Sequence, residues 1–475
     1  MKEKDLRQIQ IKSIVFWLSL VSFFLAFNYF ILKSLKETLL LTAPEAGAEA
    51  IPFVKTWFLF PFSLFFLFVF TWMVSRISFR FAVSAIITFF LFSYAVFAFF
   101  CFPIRESLHL HSIADQLQVV LPGGWRGFTA VIRYWSYSLF YVTAECWCTL
   151  IYSVVFWGYA NAVMKLGEAK KYYPFLTLAG TLAALVAGPL TIFLTGNTFR
   201  VYVPEPFDSW EIAFYALTAS VLLSGTIALV LFQLFCPRIA PAVCDGPKIP
   251  IWQSFLKVFR SKYLVTLAII CLSLNLVMNL TDVVWKNEVL KYYSNPSDFT
   301  SYLSHVTLLT GIISTIFTLF VCRPSLKRYG WTRTALIAPY LVLVTGSIFF
   351  FSIYYQKVSL SPKPFAFVAF LGSVHVCLSC GAKYTLFEPA KEMAFIPLSS
   401  EEKLHGKAVI DGLGARLGRT SSSIIYQFLL IFFPTITACT PIIAAIIVVV
   451  MIVCMRGIGN LGGQLESDPK LARIS

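Results

Sequence analysis

Apolar runs of roughly 20 residues recur from one end of this chain to the other, the length needed to cross a bilayer's hydrocarbon core. In hydrocarbon every backbone N–H and C=O must find an internal partner, so segments of this kind fold as helices. Composition agrees. Only 13% of the 475 residues are charged, against about 25% in a soluble domain. Hydrophobic residues make up 58%, and Phe alone numbers 48. Mean hydropathy is +0.77. A surface that faces lipid explains this excess of Phe better than a buried core does. The expected class is all-α, a polytopic membrane protein of about twelve spans.

The spans are expected near 13–35, 52–75, 79–103, 129–160, 172–195 and 211–235, then 263–287, 302–322, 332–355, 364–387, 409–433 and 435–455. The first is full span length, has no small-residue cleavage site after it, and reads as a helix rather than a signal peptide. A Pro-rich basic connection, residues 236–262, carries Arg238, Lys248, Lys257, Arg260 and Lys262 against Asp245. It separates a first six-helix bundle, 1–235, from a second, 263–455, with a tail at 456–475. Loops expected on one face hold Arg76, Arg80, Lys165, Lys170, Lys171, Arg323, Lys327, Arg328 and Arg333. Those on the other hold Glu45, Glu49, Glu205, Asp208, Glu211 and Asp298. Positive charge marks the cytoplasmic side, so both termini are expected there.

The net charge of +15 therefore comes largely from loops. No zinc finger, RNA-binding motif or basic arm accompanies it, and nucleic acid is not an expected partner. The eleven cysteines lie mostly in apolar runs. Cys377 and Cys380 form a C-x-x-C with no second pair to complete a metal site, so packing is the expected role. His109 and His111 are expected in an outer loop without further ligands. No metal or cofactor is expected.

Two segments repeat. Tyr137–Glu145 reads YSLFYVTAE and Tyr384–Glu392 reads YTLFEPAKE, in the fourth span of each half. A weaker echo sets Lys36 (SLKETLL) opposite Lys286 (VWKNEVL). Two parallel six-helix halves related by an axis along the membrane normal form the major-facilitator plan, with substrate near the midplane between them.

Charge inside the spans points to that substrate. Lys33, Lys36 and Glu37 stand on the first span, Lys55 on the second, and Arg133 and Glu145 on the fourth. Asp282 and Lys286 follow on the seventh, Lys383 and Glu388 on the tenth, and Arg416 and Arg419 on the eleventh. Such groups are costly in lipid and face a cavity or a partner. For Lys33, Lys36 and Lys55 the alternative is snorkelling to an interface. A surplus of Lys and Arg suits a polyanion, with phosphate foremost. Trp57, Trp135, Tyr137, Tyr141, Trp147 and Trp285 lie near these charges; one could stack on a base, although packing explains most of them equally well. No G-x-x-x-x-G-K-[ST] loop occurs, which argues against nucleotide hydrolysis as the energy source.

Several segments closely resemble one transporter family. They are LKETLLLT (35–42), GAEAIPFVKTW (47–57), AECW and FWGYAN within 135–161, NLTDVVWK (279–286), KYTLFEPAKEMAFIP (383–397) and GKAVIDGLGARLGR (406–419). The family is that of the ATP/ADP translocases of plastids and obligate intracellular bacteria, distinct from mitochondrial carriers. The resemblance implies that Lys55, in I-P-F-x-K-T-W, and Glu145, in A-E-x-W, are functional. Asp282 stands where the family has Glu, and Arg419 where it has Lys. The charge sign is kept, but reach and geometry change.

Substrate-binding residues are expected to be Lys55, Glu145, Asp282, Arg419, Lys383, Lys36 and Lys286. Lys55 and Arg419 are expected to face each other across the cavity. The shorter Asp282 is expected to pair incompletely with Lys286 or Lys383, which leaves it able to carry a proton. The leading reading is alternating-access exchange of ATP for ADP by a monomer in the lipid bilayer. Its alternative is proton-coupled import of other nucleotides, such as GTP, UTP or NAD. The resemblance implies the inner membrane of an obligate intracellular bacterium. A polytopic transferase would need a nucleophile or acid–base pair at an interface, and none is found. A receptor without transport would have no use for the interior charges.

Overall fold

The computed structural model describes residues 3–164, 166–201, 208–235, 258–358, 365–395, 398, 406, 410 and 415–466. Most of the basic connection, with Arg238, Lys248 and Lys257, lies outside the described residues. So do Lys165, Glu205, Pro397, most of the 406–414 motif and residues 467–475, and of Arg416 only the backbone is described. The described residues form helices and turns, without a strand.

Twelve helices carry the fold. They are α1 (Glu3–Leu41), α2 (Ala50–Arg76), α3 (Phe79–Cys101), α4 (Trp135–Ala160), α5 (Leu166–Thr195) and α6 (Ser209–Phe235). Then come α7 (Lys262–Tyr292), α8 (Pro296–Cys322), α9 (Arg328–Gln356), α10 (Ala366–Ala394), α11 (Ala415–Phe432) and α12 (Ile436–Glu466). Among the described residues eleven are long and apolar enough to cross a membrane. The exception is α11, with 18 described residues that include Arg416 and Arg419. It occupies the span expected at 409–433; the arginines lower its hydropathy, and the site makes use of one of them.

Local chemistry sets the boundaries. The Ser78 hydroxyl accepts from the Phe81 N–H at the start of α3, and the Ser261 hydroxyl does the same for Leu264 at the start of α7. Asn295 accepts from the Ser297 N–H ahead of α8, and Pro296 occupies its first turn, where a missing N–H costs nothing. The span expected over 129–160 breaks at Tyr134 (φ −102°, ψ 47°), where the short helix Arg126–Arg133 ends and α4 begins.

Within the first six helices α1 packs on α5, α6 and α4; within the last six α7 packs on α12, α11 and α10. Buried Leu18, Leu25, Ile31 and Leu35 line α1, and Leu267, Leu274, Val277 and Val284 line α7. Across the two groups α5 crosses α8 closely. A Cβ on Gly311 would stand 3.1 Å from that of Ala184, and one on Gly188 would stand 3.0 Å from that of Leu308. Small residues at this crossing let two membrane helices approach without a strong hydrophobic drive.

The connections α1–α2, α3–α4, α7–α8 and α11–α12 share one face, here the loop face; the opposite face is the terminal face. The two helix groups join near the loop face. Thr38 meets Thr300 at 2.6 Å, and Ser34 meets Ser304 at 3.4 Å. Gln427 of α11 donates to the Pro52 carbonyl at 3.0 Å and accepts from the Trp57 indole at 3.2 Å.

Residues 102–134 form a cap on this face, with helices Arg105–Leu108, His111–Val120 and Arg126–Arg133. The Arg133 guanidinium holds it together through Asp115 at 2.7 Å, Gln118 at 3.2 Å and Glu45 at 3.4 Å. Arg133 thus serves the cap and not the fourth span. Gly124 of the cap lies directly on α11. A Cβ there would come within 1.7 Å of the Leu430 carbonyl oxygen, so only glycine permits the contact.

Candidate functional site

Seven of the interior charges expected from sequence assemble into one ladder. At one end the Arg419 guanidinium of α11 donates to Glu145 Oε1 of α4 at 3.1 Å. The other oxygen of Glu145 takes the Lys36 ammonium of α1 at 3.1 Å. Lys36 also reaches Glu37 Oε1 at 3.2 Å, and the same oxygen accepts from Lys286 of α7 at 2.7 Å. Lys286 donates to Asp282 Oδ2 at 2.6 Å, and Asp282 stands 4.0 Å from Lys55 of α2. Sign alternates at every step. The ladder passes between the first and last six helices three times, at Arg419–Glu145, Glu37–Lys286 and Asp282–Lys55.

Burial grades along it. Lys36, Glu37 and Lys286 are sealed at 2–3% exposure, whereas the side chains of Asp282 and Arg419 keep 26% and 29%. The centre of the ladder is therefore sealed, and of its two ends Arg419 is part-exposed while Lys55 is buried. Neither Lys36 nor Lys55 snorkels, since both are buried. The Lys36 ammonium also lies 4.0 Å from the centre of the Tyr141 ring. The Tyr141 hydroxyl is buried with no partner among the described residues.

One face of α7 organises much of this. Asn275, Asn279, Asp282 and Lys286 are spaced four, three and four residues apart, which places them in a single stripe. Asn275 accepts from Lys383 of α10 at 2.7 Å, and Asn279 accepts from Lys55 at 3.3 Å. Lys55 and Lys383 each sit on a widened, π-helical turn, at Val54–Leu59 and Lys383–Phe387. A third, Trp147–Phe156, follows Glu145. Such turns recur at functional sites because they re-aim a side chain within a helix.

The structure corrects two expectations. Asp282 is fully paired with Lys286. The shorter acid loses nothing, because its partner is one turn along the same helix and no span has to be crossed. Arg419 is held by Glu145, and Lys55 by Asn279 and Asp282. The repeat holds unevenly. Lys36 and Lys286 do meet, on the Glu37 carboxylate, but Glu392 is exposed towards the terminal face while Glu145 lies in the ladder. Packing accounts for Trp147 and Trp285, which are buried, whereas Trp57 and Trp135 are exposed. The Trp147 indole donates to the Leu25 carbonyl at 3.0 Å, Trp285 to Ser373 at 3.1 Å, and Trp135 to the Leu108 carbonyl at 2.7 Å.

A model of the TLC ATP/ADP transporter family matches residues 5–465. The chain belongs to this family. ADP,ATP carrier protein 2 of Chlamydia pneumoniae is 36% identical over 95% of this chain and 88% of its own. ADP,ATP carrier protein 1, chloroplastic, of Arabidopsis thaliana is 30% identical over 95% of this chain and 73% of its own. Solved structures share the fold at low identity. A bacterial homologue of the iron transporter ferroportin, in an inward-facing state, has a TM-score of 0.58 at 12% identity, covering 95% of this chain and 99% of that one. The nucleoside transporter NupG has a TM-score of 0.56 at 14% identity over 94% and 99%. This member of the TLC ATP/ADP transporter family is thus a multi-pass membrane transporter with a major-facilitator-like fold, and not an enzyme.

Sequence reasoning missed four residues at the site of this TLC transporter. Glu37 stood out as an interior charge but was not expected among the binding residues. Asn275 and Asn279 carried a signal in the regular spacing of the α7 stripe. Tyr384 is 58% exposed in the middle of α10, yet it lies within electrostatic reach of Tyr29, Cys148 and Arg419. These partners lie on α1, α4 and α11, and no feature of the local sequence distinguishes Tyr384 from a lipid-facing aromatic.

Proposed function

We propose that the chain exchanges ATP for ADP by alternating access, with the ladder as both the phosphate site and the lock on the empty carrier. The observation that carries this is the ladder's three passages between the two helix groups. An empty carrier must break all three to reorient; the central one, Glu37–Lys286, separates sealed charges, at a cost of about 3–5 kcal/mol where a partner is lost outright, and the two part-exposed outer ones cost less. Phosphate oxygens replace the carboxylates as partners for Arg419 and Lys55 and lower that cost. Six interior cations (Lys33, Lys36, Lys55, Lys286, Lys383, Arg419) against three acids leave three positive charges. A nucleoside diphosphate carries about as many negative ones. Tyr384 offers an open aromatic face to the base.

Residues 1–235 and 263–455 act as the two moving bundles. The terminal face is cytoplasmic, because Arg76, Arg80, Arg260, Arg328 and Arg333 belong to it while Glu45, Glu49, Asp208 and Asp298 belong to the loop face. The joined loop face then makes this an inward-facing state. The relatives' source supports the inner membrane of an obligate intracellular bacterium, and the carrier works as a monomer. The substitutions at Asp282 and Arg419 favour one second reading, proton-coupled import of a wider set of nucleotides. The tight Asp282–Lys286 pair counts against it.

Uptake of labelled ATP by expressing cells, competed by ADP, GTP, UTP and NAD, tests the reading. Competition by ADP alone and collapse of uptake in Lys55→Gln at normal membrane abundance are expected. Equal competition by all four nucleotides, or full activity in Lys55→Gln, contradicts it.

A further inference from the structure

Asn275 and Asn279 stand one turn apart on α7, both half-buried. Each amide nitrogen donates to the carbonyl one turn back, Asn275 to Cys271 at 2.9 Å and Asn279 to Asn275 at 2.8 Å. That bond fixes which end of the amide is nitrogen, because an oxygen could not sit against a carbonyl. The two amide oxygens are thereby turned towards neighbouring helices. Asn275 Oδ1 accepts from Lys383 of α10 at 2.7 Å, and Asn279 Oδ1 accepts from Lys55 of α2 at 3.3 Å. Close packing steadies the first of them. A Cβ on Gly418 of α11, the residue before Arg419, would stand 2.8 Å from that of Asn275.

Both lysines therefore have a neutral oxygen as their nearest partner. Asp282 lies further from Lys55, at 4.0 Å, and is itself held by Lys286 at 2.6 Å. Glu388 acts on Lys383 from further away than Asn275 does, and is paired with Lys391 at 2.5 Å. The other ladder cations, Lys36, Lys286 and Arg419, bond directly to carboxylates. An amide oxygen meets an ammonium as a dipole, whereas a phosphate oxygen adds the attraction of opposite charges. A phosphate that takes Lys55 or Lys383 from its asparagine leaves behind an uncharged oxygen, which water can satisfy. One that takes Arg419 from Glu145 removes a partner from a mostly buried carboxylate.

We propose that Asn275 and Asn279 are positioning residues that hold the places of two phosphate oxygens in the empty carrier. The proposal rests on the nucleotide reading above and deepens it. Lys55 and Lys383 are the cations handed to the substrate phosphates at least cost, and the asparagines keep them aimed until then. Neutrality decides the effect. A carboxylate at either position would compete with phosphate charge for charge, and a side chain without an acceptor would not compete at all.

The test measures binding of ATP, ADP and pyrophosphate to the purified full-length protein, with the melting temperature of each variant beside it. Asn275→Asp should weaken ATP and pyrophosphate by about tenfold or more, since the lysine then has a charged partner to give up. Asn275→Ala should tighten both by about threefold, as a competing hydrogen bond is removed, while its melting temperature falls. The tightening should vanish in a Lys383→Gln background, because the asparagine acts through that lysine. Asn279→Ala should tighten ATP in the same way, and it carries the comparison if the Asn275 variants fail to fold. A bond that only supports the fold predicts the reverse order: weaker binding in Asn275→Ala, and wild-type binding in Asn275→Asp, where the lysine keeps a partner. That reverse order, or weaker ATP binding in both alanine variants, overturns the proposal while the nucleotide reading stands. A wild-type protein that binds neither ATP nor ADP overturns that reading and the proposal with it.

Discussion

Glu37 is the residue on which the two helix groups meet, since one of its oxygens holds both Lys36 and Lys286. Glu37→Gln leaves two buried ammonium groups sharing a neutral amide. Removing one member of a buried pair costs about 3–5 kcal/mol. We expect a clearly lower melting temperature in purified protein and loss of nucleotide exchange. Thermal stability and exchange equal to wild type would remove Glu37 from the ladder's working centre. Arg419 makes a different prediction, because its guanidinium sits at an open end. Arg419→Lys turns a planar fork into a point charge; transport should survive with altered preference among nucleotides. Arg419→Ala should lose about tenfold in affinity, and unaltered competition profiles in both variants would contradict a substrate contact. Tyr384→Ala should weaken nucleotides while sparing pyrophosphate, and a parallel loss of both would show that the ring does not meet the base.

At the scale of elements, the cap is the feature with most to test. His109 is buried in it; its Nε2 lies 3.2 Å from the Ser136 hydroxyl, and its ring meets Tyr134, Tyr137 and His111 edge-on. Burial holds the imidazole below its ordinary value. Glu106 opposes that shift, while His111 and Arg105 reinforce it. Above about pH 6.5 the ring is neutral whether the cap is docked or detached. As pH falls through that range the detached cap takes up the proton first, so docking weakens in acid. Protection of the amides of residues 105–134 from hydrogen exchange, taken relative to the intrinsic rate at each pH, should fall below about pH 6.5 in wild type and lose that dependence in His109→Gln; pH-independent protection in wild type contradicts the assignment. Gly124→Val should force the cap off α11 and favour a carrier open at the loop face. Probes added from that side should then reach Cys380 faster, and an unchanged labelling rate would show that this contact does not gate the face.

The same scale shows what could be read in the sequence. Six of the seven charges expected at the site fall in the ladder, and Lys383 bonds to Asn275 on the same stripe of α7, because Lys, Arg, Asp and Glu at bilayer depth are conspicuous by cost alone. Asn275, Asn279 and Tyr384 escaped notice because neutral polar and aromatic residues are tolerated in membrane helices. The spans themselves were legible from hydropathy. The break at Tyr134 and the cap helices were not, since turns of four to ten residues leave little periodicity. The pairing of Asp282 was misjudged by weighing side-chain reach alone, when the i,i+4 position of Lys286 supplied the partner.

For the whole molecule, the proposed exchange depends on breaking three passages of charge between two helix groups. An empty carrier pays that cost unaided, while a loaded one is helped by phosphate, so coupling arises from differential stabilisation of the moving state. On the proposed reading, charge balance sets the preferred cargo, since three net positive charges suit a nucleoside di- or triphosphate better than a nucleoside. The most direct measurement is efflux from proteoliposomes loaded with labelled ATP. The label should stay inside in plain buffer, leave promptly when ADP is added outside, and ignore a protonophore. Efflux into nucleotide-free buffer at the rate seen with ADP would mean that the empty carrier returns freely, and the ladder would not be its lock.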